Sequence, residues 1–194
     1  HEIDICRWAL GVDYPTRVVS AGGRYHFNND DWEYYDTQMA SYEFAGNKMI
    51  SWDGKSCNGS DTYGRGRGSL IFGTKGSVLL DREGYVLYDL DGNELKYEKE
   101  EITGTSANTA DTSGFDYLTV LHMQNFLNAI RNGEVLNAPI ADAAISTQLC
   151  HLGNMAQDLK LSLSVNDETG HILNNKEALQ KWGREYDKNW KLEV

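Results

Sequence analysis

The run Ser69-Leu-Ile-Phe-Gly-Thr-Lys-Gly-Ser-Val-Leu-Leu-Asp-Arg-Glu-Gly-Tyr-Val-Leu-Tyr-Asp-Leu-Asp-Gly-Asn-Glu-Leu-Lys-Tyr-Glu98 decides the fold class. Four β-prone segments, residues 69–72, 77–81, 85–90 and 94–98, are separated by turn residues at Gly73 to Gly76, Arg82 to Gly84 and Asp91-Gly92, the spacing of an antiparallel meander. In Val78-Leu-Leu80 and again in Tyr85 to Leu90, both alternating sets of side chains are largely apolar, whereas a sheet with one wet face alternates cleanly. Both faces therefore need cover: helices on one, and a neighbouring subunit or long loops on the other.

Upstream, residues 17–27 read as a strand bent by a bulge at Ala21-Gly22-Gly23. Residues 37–44 and 48–52 read as a hairpin around Ala45-Gly46-Asn47. Residues 53–68 carry five glycines and no apolar periodicity, the pattern of a mobile loop. Downstream, residues 101–114 form a polar connector to two helices. The first, residues 115–131, has an apolar stripe of Val120, Met123, Phe126, Leu127 and Ile130, expected to face the core. The second, residues 141–160, carries Ile145, Leu149, Leu152, Met155, Ala156 and Leu159, with Gly153 marking a close backbone approach. Residues 161–165 alternate as a strand, and residues 176–182 make a short last helix. Strands and helices in separate runs predict an α+β fold, a mostly antiparallel open sheet with helices packed on one face, in a single domain spanning residues 1–194.

The opening His1-Glu-Ile-Asp-Ile-Cys-Arg-Trp-Ala-Leu-Gly11 reads as one helix closed by glycine. At about 100° per residue, His1, Asp4, Ile5 and Trp8 share one face, and Ile3, Cys6 and Leu10 gather nearly opposite, with Glu2 and Arg7 between. A helix apolar on two sides predicts burial. Its first turn nevertheless pairs an imidazole with a carboxylate three residues on. That is the equipment of a general acid or base, or of a satisfied structural pair. A chain opening inside such a helix reads as the rear part of a longer protein.

With 194 residues, 40% of them hydrophobic, the chain is long enough to bury its own core. Twenty-nine acidic against eighteen basic residues give a net charge of −11, which argues against nucleic-acid and anionic-membrane partners. No apolar run approaches the ~18 residues of a membrane span. A soluble protein, cytoplasmic or exported, is expected. Cys6, Cys57 and Cys150 lack metal-type spacing and read as buried thiols, so neither a disulfide nor a metal site is expected.

Three further places bear chemistry. Gly64-Arg-Gly-Arg-Gly68 has the composition of an anion cradle but lacks the strand–turn–helix context of one; Tyr63, Arg65 and Arg67 are its candidate substrate contacts. His122 and His151 read as helical hydrogen bonders. Asp30-Asp-Trp-Glu-Tyr-Tyr-Asp36 is either an ordinary exposed turn or a sugar-stacking wall.

Four stretches, in order along the chain, carry a resemblance: residues 1–11, Ser69 to Arg82, His122 to Gly133, and Ser146-Thr-Gln-Leu-Cys-His-Leu-Gly-Asn-Met-Ala156. The sequence resembles the C-terminal half of Gfo/Idh/MocA-family oxidoreductases, in the bacterial branch. The resemblance implies an N-terminal Rossmann domain, outside these residues, that binds most of the NAD or NADP, with the helical side of this half meeting the cofactor; no cofactor-binding residue is assigned here. It also implies an open sheet that serves homo-oligomerisation, and hydride transfer on sugars or cyclitols. In members with a DxxxHxxD pattern the histidine is the acid/base beside a lysine of the Rossmann half. His1 matches that histidine and Asp4 the final aspartate. Two other readings accompany this one: a redox-assisted glycosidase using the same cofactor, and a non-catalytic module for ligand binding or subunit assembly.

Overall fold

Segments rich in Val, Ile, Leu and Tyr between glycine turns become strands, and stretches free of glycine with 3.6-residue periodicity become helices. The structure is a computed structural model describing residues 1–99, 117–184, 186, 187, 189 and 190. Its elements run α1 (Glu2–Leu10), β1 (Arg17–Gly23), β2 (Thr37–Phe44), β3 (Lys48–Lys55), β4 (Ser69–Gly73), β5 (Gly76–Asp81), β6 (Gly84–Tyr88), β7 (Glu94–Lys99), α2 (Tyr117–Asn132), α3 (Ile140–Leu159), β8 (Leu163–Ser164) and α4 (Lys176–Gln180). The fold is α+β, with the strands in two open antiparallel sheets, ordered β3-β2-β1-β8 and β4-β5-β6-β7. The chain groups into two units: His1 with residues 3–59 and 144–194, and Glu2 with residues 60–143.

In the first unit, the predicted hairpin forms with Phe44 opposite Lys48, and Gly46 and Asn47 take the positive φ that its three-residue turn needs. The bulge expected in β1 is absent. Pairing runs unbroken from Arg17 opposite Glu43 to Gly23 opposite Thr37. A Cβ on Gly22 would sit 2.1 Å from the Thr37 carbonyl oxygen, so the glycine serves close cross-strand approach rather than a bend. The chain leaves the sheet at Gly23, and Tyr25 and Phe27 lie in a loop. That loop is pinned by buried Asp36, whose carboxylate accepts from the backbone N–H groups of Tyr25, His26 and Phe27 and from the Thr37 hydroxyl. The strand expected over residues 161–165 shrinks to β8, with Val165 bridging to Ile172.

Helices α1 and α3 supply Ile3, Leu149, Leu152 and Ala156 to a core with Val18, Tyr42, Phe44, Ile50 and Leu163 from the sheet. Gly153 makes the close approach its position foretold: a Cβ there would lie 2.3 Å from the Tyr42 hydroxyl. Helix α1 ends as expected. Gly11 is left-handed (φ 60°) and its N–H reaches the Trp8 carbonyl, while Val12 N–H reaches that of Arg7. Burial on two sides is not observed. Ile3 and Arg7 are buried, whereas Trp8 is 78% exposed, because an arginine completes the inward face.

In the second unit, the meander forms with the predicted turns, and Leu79 and Val86 are buried side by side. Helix α2 departs from expectation. Val120, Met123, Phe126, Leu127 and Ile130 are all exposed; the face that is held is polar, through Asn125, which donates to the Val135 carbonyl and Glu134 and accepts from Asn137 N–H. Residues 100–116, which include the connector and Phe115, lie outside the described residues. The thiols differ from expectation in their burial: Cys6 and Cys57 are half-buried, and Cys150 is exposed.

Candidate functional site

The first turn of α1 places His1 at the N-cap and Asp4 one turn on, both exposed, while the same helix turns Ile3 and Arg7 inward. The helix N-terminus carries partial positive charge, which favours a carboxylate there. Asp4 is not left to solvent alone. Ser146, on α3 and 142 residues away, donates its hydroxyl to Asp4 Oδ1 at 2.5 Å. Arg7 Nε in turn donates to Ser146 Oγ at 2.8 Å. Arg7 Nη1 reaches Asp13 Oδ1 at 2.8 Å and the Val12 carbonyl at 3.2 Å, and its Nη2 stands 4.0 Å from Asp4 Oδ1. A buried guanidinium thus anchors a hydroxyl that fixes one oxygen of the carboxylate, within the first unit. The sequence held a hint of this in Arg7, a charge one helical turn from Asp4 on a largely apolar helix. Nothing local marked Ser146.

The loop residues fall elsewhere. Within the second unit, Arg65 ion-pairs with Asp81 and Glu83, each at 3.2 Å, and Thr62 and Arg65 form an isolated bridge. Arg67 Nη2 lies 2.6 Å from Oε1 of Glu2, which is grouped with that unit. Tyr63 is exposed, with φ 54°. The run lies between strands and leads into no helix: β3 ends at Lys55, β4 starts at Ser69, and both arginines already face carboxylates. A dinucleotide pyrophosphate needs unsaturated N–H groups at a helix N-terminus, so this loop does not fit one. His122 and His151 are exposed on their helices. Trp32 and Tyr34 are exposed, whereas Tyr35 donates to Asp158, which also pairs with Lys181 at 2.8 Å. Burial, with the Asp158 carboxylate, pushes the Tyr35 phenol up to about 12. Among the described residues no cluster of His, Cys, Asp and Glu could hold a metal ion, and no helix is long and apolar enough to cross a membrane.

The fold is α+β, with a histidine and an aspartate exposed on the first turn of its first helix. Residues 1–157 match the model of the oxidoreductase family's C-terminal alpha/beta domain, Gfo/Idh/MocA, and the chain belongs to that family. Three solved structures are similar. One is an oxidoreductase from Agrobacterium radiobacter in complex with NAD+, L-tartaric acid and magnesium, with 13% identity, TM-score 0.60, and coverage of 84% of this chain and 46% of that one. Levoglucosan dehydrogenase in complex with NADH and levoglucosan gives 16% and 0.58, covering 85% and 48%. The WlbA dehydrogenase from Bordetella pertussis in complex with NADH and UDP-GlcNAcA gives 14% and 0.50, covering 84% and 43%. At these identities the likeness is one of fold. The chain spans less than half the length of each of the three. No curated protein sequence matches it.

Proposed function

We propose that this chain is the substrate-binding and catalytic half of a NAD(P)-dependent dehydrogenase acting on a sugar- or cyclitol-like alcohol, and that it associates with a second copy through its open sheet. The observation that carries the reading is the match of His1 and Asp4 to the family's HxxD segment, with both side chains on the exposed side of a helix whose inner side is locked. The dinucleotide, held by a Rossmann domain outside these residues, supplies the hydride acceptor. As the substrate carbon gives up its hydride, its hydroxyl proton passes to the imidazole of His1, and a carbonyl results. Asp4 favours the charged ring and fixes its orientation. The sugar-like substrate has support in the levoglucosan and UDP-GlcNAcA bound by two proteins of similar fold.

The test is direct. The full-length gene product is offered D-glucose, D-xylose, myo-inositol and levoglucosan with NAD+ and with NADP+, and nicotinamide reduction is followed by absorbance. Turnover of at least one member is expected; reduction with none of them, by folded protein, would sink the reading.

A further inference from the structure

We infer that Ser146 and Arg7 are positioning residues that hold Asp4 in its working orientation, an inference that rests on the reading of His1 and Asp4 as the acid/base pair. A carboxylate on the first turn of a surface helix rotates freely about χ1 and χ2 unless something fixes it. Here the contacts of Asp4 run through one oxygen: Oδ1 accepts from Ser146 and faces Arg7 Nη2, while half of the side chain stays exposed. The Ser146 hydroxyl has a single proton. Because Arg7 Nε–H donates into its oxygen, that proton is directed outward, to Asp4. Arg7 is itself only 3% exposed, and Asp13 and the Val12 carbonyl clamp its far end, so the relay starts from a side chain with little freedom. With Oδ1 so held, Oδ2 is the oxygen left to meet an imidazole or a substrate hydroxyl.

The chemistry explains the choice of groups. An arginine bonded straight to Asp4 would neutralise the carboxylate that is to favour a charged ring. A hydroxyl in between fixes its geometry and keeps the guanidinium at 4.0 Å, without a direct hydrogen bond to the carboxylate. Misplacing such a group by about 1 Å costs roughly 10²-fold in rate. The pair is also assembled from opposite ends of the domain, so packing of α3 on α1 is read out directly at the catalytic carboxylate.

Two measurements test this. In the 194-residue chain, the Arg7 Nε–H resonance should be protected from solvent exchange, and Ser146→Ala should remove that protection while Asp4→Asn retains it; an unprotected signal in the parent overturns the inference. In the full-length enzyme, turnover of its best substrate among D-glucose, D-xylose, myo-inositol and levoglucosan is compared for Ser146→Ala, Asp4→Asn and the double variant. Ser146→Ala should lower kcat by about 10- to 100-fold with the Kd for NAD(P) unchanged, and should have no further effect once Asp4 is Asn. Ser146→Thr, which keeps the hydroxyl, should restore kcat. A merely structural serine would give additive losses and a kcat that follows the melting temperature, and that result overturns the inference while leaving the acid/base reading intact. An Asp4→Asn enzyme as fast as the parent would instead remove the reading on which it rests, and the inference with it.

Discussion

At the scale of single residues, the proposed activity rests on His1. A general base handles the proton in flight and adds little to the grip on the nicotinamide, so His1→Asn in the full-length enzyme should leave cofactor affinity unchanged. Its kcat should fall by roughly 10²- to 10⁴-fold. The pH profile offers a second, independent readout. A limb near the ordinary imidazole range, about 6.5, should be present in the parent and vanish in the variant. Turnover within a few-fold of the parent, with the limb unchanged, would return His1 to a structural role and shift the burden to a base outside these residues. Neighbouring positions show how narrowly the helix divides its duties: Asp4 and Trp8 face outward, while Ile3 and Arg7 face the core.

Elements are held by a few polar pins as much as by the core, and Asp36 is the clearest. Burial alone would push its carboxyl up, but the backbone N–H groups of His26, Phe27 and Tyr25, with the Thr37 hydroxyl, outweigh that and hold it well below the usual carboxylate range. A carboxyl whose folded pKa is depressed stabilises the fold above its unfolded value, about 3.9, and the contribution fades as pH falls toward the folded value. Asp36→Asn should therefore lower the urea midpoint at neutral pH, and the gap to the parent should narrow below about pH 4. A gap of constant size across that range would mean the charge is not what pins the loop. This pin also marks the limit of sequence reading. The meander, the hairpin, the Gly11 cap and the Gly153 approach were legible, because each rests on local periodicity or on one glycine. Asp36 passed for part of an exposed aromatic turn, since its partners are backbone N–H groups nine to eleven residues away. Likewise the spacing of His1 and Asp4 was visible in the sequence, but the contact of Ser146 with Asp4 was not. A serine inside an apolar helical pattern has no signature until the fold brings it to Asp4.

At the scale of the whole molecule, the sheet of the second unit bears on assembly. Ile71, Val78 and Leu87 stand directly opposite one another across β4, β5 and β6, and Leu80 faces Tyr85 beside them on the same side. All five are only half-buried, on the face opposite Leu79 and Val86. An apolar row of this kind extends toward the few hundred Å² that monomers seldom expose without purpose, and an open antiparallel sheet can meet a second copy across a two-fold axis with the same row on both sides. Light scattering at high micromolar concentration should give a mass of at least twice the 21.8 kDa of the chain. Val78→Lys sets a charge in the middle of the row, where a half-exposed side chain can reach water in the monomer but is desolvated in the pair. Its expected effect is a shift to the monomer mass with little change in melting temperature. A parent that scatters as a monomer would refute association through this face. A Val78→Lys protein that stays paired would place the contact on another surface, and α2, with Val120, Met123, Phe126, Leu127 and Ile130 exposed along its length, would be the next to mutate.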